Sequence, residues 1–352
     1  MIEWRNPGKL FLIILLVGCV SFCTTSGGNG NGNSNDDNND SNNTNSPYQI
    51  SIYNTSKAYG GITLFTTNYD ASNPRVVKVD MNGNVVWEYL LPEGVKQYTQ
   101  PGFDAEQLAN GNILIVLPGY GIIEVDTNGT LVWNHLDPQI SHDADRLANG
   151  NTLYVYGDND TRDDDQAKEV DTNGNLIWSW CAKSSYDVDP FRDISFQGWT
   201  HANAVIRLNN GNTIVSLRNF NLTTEVTTQG TVAWSFDWTQ FGAQVYPHEP
   251  EILSNGNLLI ALQNDSPFIA VEINRTTGQT VWTYSRDNIR TTRDADRLPN
   301  GNTLLVAVDT AVAGSESLIF EVTSEGEIVW EMRLVNHPVE TQPGFFYKAQ
   351  RL

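Results

Sequence analysis

The chain has 352 residues, 39% of them hydrophobic and 10% aromatic, with 41 Asp and Glu against 21 Lys and Arg and a formal charge of −20. That balance excludes a nucleic-acid binder, which needs a basic face to neutralise phosphates, and excludes electrostatic docking on an anionic membrane. Three Cys with no Cys-x-x-Cys pair exclude a disulfide scaffold and a structural zinc site.

The N-terminus reads as targeting rather than fold. Arg5 and Lys9 precede the apolar run Leu10–Val17, which is too short to span a bilayer and suits the apolar core of a signal peptide. The run ends in Leu16-Val17-Gly18-Cys19, resembling a bacterial lipobox, so residues 1–18 are expected to be removed and Cys19 lipidated. Residues 19–46 follow as a tether: Thr24–Ser46 holds only Thr, Ser, Gly, Asn and Asp, and nothing there offsets the entropy of ordering. The expected location is outside the cell membrane, anchored to the bacterial envelope by lipid alone.

From residue 47 to 352 the chain repeats. Trp87, Trp133, Trp178, Trp234, Trp282 and Trp330 each follow a Gly by four residues and lie 45 to 56 residues apart. Asn-Gly-Asn recurs at 110–112, 149–151, 210–212, 255–257 and 300–302, each time between two short β-branched or alternating runs, the pattern of a tight hairpin. The third repeat divides into strands A to D at 142–147, 152–157, 167–171 and 175–180. Four antiparallel strands in a unit of this length describe a propeller blade, and six markers predict an all-β, six-bladed β-propeller. The C-terminal residues Tyr347–Leu352 align with strand A of the third repeat, whereas the first repeat has a poor strand A. The last strand is therefore predicted to complete the first blade and close the ring.

Strand A lines the channel of a propeller, so the starts of all strands A converge at one mouth. Counting back eight residues from each Asn-Gly-Asn glycine gives Phe103, His142, Asn203, His248 and Arg293, with Tyr347 in the closing strand. His201 lies two residues before Asn203 and shares its strand face. Strand B returns to the same mouth and ends there at Arg218 and Asn219, with Asp158, Asn264 and Asp309 at the same place in other blades. Three of only five His, with one or two Arg, make a mouth selective for an anion on an otherwise negative protein. Arg218 opposes the reading of the three His as a metal site. The loop Cys181–Trp199 accounts for the longest spacing and can shape a lid, and Asp158–Asp165, with five Asp, reads as a solvated acidic loop rather than a calcium loop.

Trp199-Thr200-His201-Ala202-Asn203-Ala204-Val205, then Ser216-Leu217-Arg218-Asn219, then His248 ahead of Asn255-Gly256-Asn257, resembles the bacterial arylsulfotransferase (arylsulfate sulfotransferase) family. The resemblance extends over the propeller from about Tyr48 to Leu352, with Ala204 where the family usually has Ser. It implies a sulfuryl transfer from an aryl sulfate donor to a phenolic acceptor, without a nucleotide and without any cofactor or metal. It also implies the roles: His248 as nucleophile through a sulfohistidine, with His201, Arg218 and His142 holding the sulfuryl group. Asn203, Phe103, Arg293 and Tyr347 are the expected substrate-binding neighbours. The alternative, from another class, is a lipid-anchored propeller without catalysis that binds a ligand or partner protein at the same mouth; a quinoprotein-like enzyme ranks below both, since six repeats are fewer than its usual eight.

Overall fold

The computed structural model describes residues 46–310, 316–335 and 346–352. The signal peptide, Cys19, Cys23, the tether as far as Asn45, and His337 lie outside the described residues. Six antiparallel sheets form the ring. In chain order, blade 1 takes Thr63–Thr67, Arg75–Val79 and Val85–Leu90 as strands B to D, and blade 2 runs through Asp104–Gln107, Ile113–Leu117, Gly121–Val125 and Leu131–Leu136. Blade 3 comprises Ala144–Arg146, Thr152–Val155, Ala167–Val170 and Leu176–Trp180, within two residues of the sequence reading at every boundary. Blades 4, 5 and 6 start with Ala202–Arg207, Pro250–Ile252 and Ile289–Arg297. The predicted closure holds: Ala349–Arg351 pairs with Thr63–Phe65 as the inner strand of blade 1.

The N-terminal end of the propeller adds a second closure that the repeat pattern does not show. Tyr48–Tyr53 pairs antiparallel with Ile328–Leu334 and becomes a fifth, outermost strand of blade 6. Its effect is visible in burial. Val329 and Trp330 under this strand are fully buried, whereas Val85 and Val86, or Leu131 and Val132, on the uncovered outer strands of blades 1 and 2 are exposed.

The two sequence markers do one job together. In blades 2 to 6 the third residue of Asn-Gly-Asn turns its Nδ2 onto a strand-C glutamate: Asn112 to Glu124, Asn151 to Glu169, Asn212 to Glu225, Asn257 to Glu272 and Asn302 to Glu321. Each glutamate then meets an arginine of the following blade, as in Arg146 to Glu124 at 2.8 Å and Arg207 to Glu169 at 2.7 Å. That guanidinium lies over the marker tryptophan, 4.2 Å from the ring of Trp133 for Arg146. The six indoles each donate to a backbone carbonyl in the next blade, from Trp87 to Thr127 O at 3.0 Å round to Trp330 to Met81 O at 2.9 Å. Hairpin, strand C and neighbouring blade are thus fixed by one side-chain relay, which holds the inner strands at set angles around the axis.

At the axis the residues after five of the six mouth positions are charged, Ala204 of blade 4 being the exception. Lys348 Nζ reaches Asp143 Oδ1 at 2.5 Å, Glu249 Oε2 at 2.8 Å and Asp104 Oδ2 at 3.1 Å, carboxylates from blades 3, 5 and 2. Asp294 of blade 6 accepts from the Ala349 backbone N–H at 2.8 Å. Burial alone would lower the Lys348 pKa; the carboxylates outweigh it and hold the ammonium charged well above its usual range.

Candidate active site

The mouth positions assemble above this ionic layer. His142, His201 and His248 are 5%, 7% and 5% exposed, and Tyr347 is 3% exposed. The rings of His142 and His201 lie 4.8 Å apart, and Tyr347 sits between the two ends of the group, 6.0 Å from His142 and 6.2 Å from His248. Arg293 approaches the Tyr347 ring face at 5.3 Å. Seven of the eight residues expected at the site therefore share one mouth or brace it. Phe103 does not: it packs with Leu64, Val76 and Leu117 in the apolar cluster between blades 1 and 2. Its side chain follows the apolar face that a phenylalanine satisfies best, and it contributes no polar group.

Local backbone explains the placement of each group. Strand B of blade 4 ends at Leu217, before the expected Arg218 and Asn219, and Arg218–Phe220 forms a single 3₁₀ turn closed by Asn221 in the left-handed region. That turn swings Arg218 across the mouth between Tyr246 and Phe196, 4.1 and 5.2 Å from their ring centres. Phe196 belongs to the long loop from Cys181 to Trp199, which is anchored by Tyr186, Phe191 and Trp199 packing around Phe220. Asn219 Nδ2 donates to Phe196 O at 2.8 Å and to Gly198 O at 3.0 Å, tying the loop to the arginine turn. Neither Arg218 nor Asn219 required a helix in the sequence; the turn follows from these contacts, which join residues some 20 positions apart.

Asn203 acts through backbone. Its Nδ2 donates to Pro247 O at 3.0 Å, and Ser216 Oγ donates to the same oxygen at 2.9 Å, fixing the residue directly before His248. Asp160 is also a brace: the acidic loop is largely solvent-exposed as read from the sequence, but this one of its five Asp is buried. Its buried carboxylate accepts from Thr200 N–H and Oγ–H, from His201 N–H at 3.0 Å and from Gln166 Nε2. His201 is held there with φ +47°, a conformation rare for a residue with a Cβ and the kind of local strain that concentrates at functional sites. Among the described residues no three His, Cys, Asp or Glu side chains are grouped to hold a metal.

Electrostatics give the site its character. Burial, then the charges of Arg293 and Arg218, hold the His248 pKa well below its usual value; burial, His201 and Arg218 do the same for His142. His201 is pushed down to about 4 by burial and Arg218, partly offset by a hydrogen bond to Gln197. All three rings are therefore neutral at pH 7, and His248 makes no side-chain hydrogen bond among the described residues. Arg218 is the opposite case. Among the described residues its guanidinium donates one hydrogen bond, to Asn219 Oδ1 at 3.1 Å, and forms no salt bridge, although the charge of Asp158 acts on it from a distance. A largely buried guanidinium facing neutral imidazoles is a site awaiting a negative charge. Three buried polar atoms here, His142 Nδ1, Asn203 Oδ1 and Tyr347 OH, have no hydrogen-bond partner among the described residues. A cleft of about 620 Å³ lined by Asn68, Lys96 and Gln100 lies elsewhere and contains none of these groups.

The sequence model of the Arylsulfotransferase (ASST) family matches residues 49–241, a span that includes His142, His201 and Arg218 and stops before His248. No curated protein matches the sequence. Among solved structures, a protein of unknown function from Bacteroides caccae is similar at 17% identity and a TM-score of 0.57, covering 83% of this chain and 98% of that one. A streptogramin B lyase is similar at 13% identity and a TM-score of 0.50, covering 80% and 86%. At these identities the likeness to both is one of fold.

Proposed function

Because the chain belongs to the arylsulfotransferase family, we propose that it transfers a sulfuryl group from an aryl sulfate to a phenolic acceptor, with His248 as the nucleophile. The observation that carries this reading is the pairing of opposites at the mouth: Arg218, which makes no salt bridge among the described residues and feels only the more distant charge of Asp158, beside imidazoles kept neutral by burial and by that same arginine. An aryl sulfate brings one negative charge, spread over oxygens that a guanidinium can bind through two N–H groups. A neutral His248 has a lone pair with which to attack sulfur; the phenolate leaves, and the sulfohistidine divides one difficult displacement into two easier ones. Arg218, with an N–H of His142, holds the oxygens on which charge builds. Arg293 and Tyr347 complete the wall, and Asn203 fixes the backbone behind the nucleophile.

Arg218→Lys keeps the charge and loses the two-pronged geometry, so kcat/KM for a chromogenic aryl sulfate is expected to fall by about 10²-fold, the scale for one oxyanion donor. An unchanged kcat/KM would remove Arg218 from the site.

The N-terminal pattern supports a second part of the reading, that the protein is exported and lipid-anchored through Cys19. Cells fed a fatty-acid analogue are expected to label the wild type and not Cys19→Ser; label retained in that variant overturns the assignment.

A further inference from the structure

His201 is constrained from two sides. Asp160 fixes its backbone N–H, and its ring Nδ1 lies 2.8 Å from the carbonyl oxygen of Gln197. A carbonyl oxygen only accepts, so Nδ1 carries the proton and Nε2 is left with a lone pair. Nε2 has no hydrogen-bond partner among the described residues, and the ring faces His142 at 4.8 Å inside the site. The oxygens of a sulfuryl group offer lone pairs only. A neutral His201 in this tautomer therefore has no N–H to give them, which departs from the role of sulfuryl holder that the family resemblance implies. What it has, within the His142–His201 pair, is an unpartnered proton acceptor.

We infer that His201 is the general base of the second half-reaction, its Nε2 removing the hydroxyl proton of the acceptor as that oxygen attacks the sulfuryl group carried by His248. The inference rests on the sulfuryl-transfer reading above and assigns the proton that reading leaves unplaced. In the first half-reaction the donor's O–S bond breaks, an N–S bond to His248 forms, and the phenolate departs with the bonding pair. In the second, the acceptor's O–S bond forms, the N–S bond breaks and returns its electron pair to His248, and the acceptor proton passes to His201 Nε2. The charged imidazolium then gives the proton to solvent. The neighbouring guanidinium of Arg218 favours that release, because it disfavours a second positive charge beside it. The Gln197 carbonyl steadies the imidazolium meanwhile, as an orienting group does for other catalytic histidines.

The test separates the two half-reactions. Wild type and His201→Gln, both full-length, are mixed with excess 4-nitrophenyl sulfate without acceptor, and released nitrophenol and intact mass are followed. His201→Gln is expected to keep the burst of one nitrophenol per protein and the sulfuryl mass adduct. With phenol added as acceptor, its steady-state turnover is expected to fall by about 10²- to 10⁴-fold, the usual contribution of a positioned base. The loss should shrink with acceptors already ionised at the assay pH, or with added imidazole. On the wild type, which needs no folding control, a solvent deuterium isotope effect is expected on the acceptor step and not on the burst. Loss of burst and turnover together would make His201 a sulfuryl holder and overturn the inference, as would unchanged turnover or an isotope effect absent from the acceptor step. A wild type that forms no adduct withdraws the nucleophile reading itself, and this inference with it.

Discussion

His248→Asn is expected to melt at the wild-type temperature and to transfer sulfuryl at least about 10⁴-fold more slowly, the scale seen when a covalent nucleophile is deleted. The fold should tolerate the change because Asn203 already occupies the equivalent slot of blade 4, buried and hydrogen-bonded to Pro247 O. The chemistry should not, because an amide nitrogen has no available lone pair and no other neutral ring occupies that inner-strand start. Intact mass after incubation with an aryl sulfate should show a sulfuryl adduct on the wild type alone. Normal turnover by the variant would place the nucleophile elsewhere. If the wild type gives neither adduct nor turnover across varied donors, a propeller that binds an anionic ligand at this mouth becomes the better account.

Lys348→Met should cost the fold about 3 to 5 kcal/mol, the range for removing one partner of a buried ion pair, and lower Tm by roughly 10 °C at pH 8. Met matches the length of the lysine stem but leaves Asp104, Asp143 and Glu249 facing one another without a cation. The deficit has a predictable pH dependence. Burial raises the pKa of Asp104, and burial with the charge of Asp143 raises that of Glu249 well above the carboxylate range. A carboxyl whose folded pKa is raised stabilises the fold as pH falls through that pKa, because the folded state then binds more protons than the unfolded. The variant should therefore recover part of its loss between pH 8 and 5, whereas the wild type, with its ammonium in place, should gain less. Thermal melts at the two pH values check this; a variant within about 2 °C of wild type at pH 8 would show that the layer does not depend on Lys348.

The repeat was legible because each blade is held by short-range signals: Asn-Gly turns, alternating runs and a tryptophan at fixed distance. So was the convergence of His142, His201, Arg218, His248 and Tyr347, since position within a repeat maps directly onto position around an axis. The Lys348 layer was not legible, although each of its carboxylates stands one residue after a mouth position, at Asp104, Asp143 and Glu249. In the sequence Lys348 stands between Tyr347 and Ala349 with no acidic residue beside it, and its three carboxylates come from blades 2, 3 and 5. Tyr48–Tyr53 escaped for a similar reason, because its partner Ile328–Leu334 lies at the far end of the chain. The proton state of His201 depends on a backbone carbonyl four residues away in a loop with two left-handed residues, Gln197 and Gly198, which no periodicity encodes.

The ring is sealed by strands from both ends of the chain, with Tyr48 opposite Leu334 and Thr63 opposite Arg351. A ribosome makes these partners far apart in time, roughly 15 to 60 s for the residues between Tyr48 and Leu334 at ordinary synthesis rates. Throughout that interval blade 1 lacks its inner strand, and the ammonium of Lys348 has not yet arrived between the carboxylates of blades 2, 3 and 5. Without that strand the ring is an open arc whose channel carboxylates lack their shared cation, so the mouth above them depends on Tyr347–Arg351 being in place. Assembly of the mouth therefore waits on the pairing of Ala349–Arg351 with blade 1, and without that strand the chain carries every histidine in its sequence and no closed ring around them.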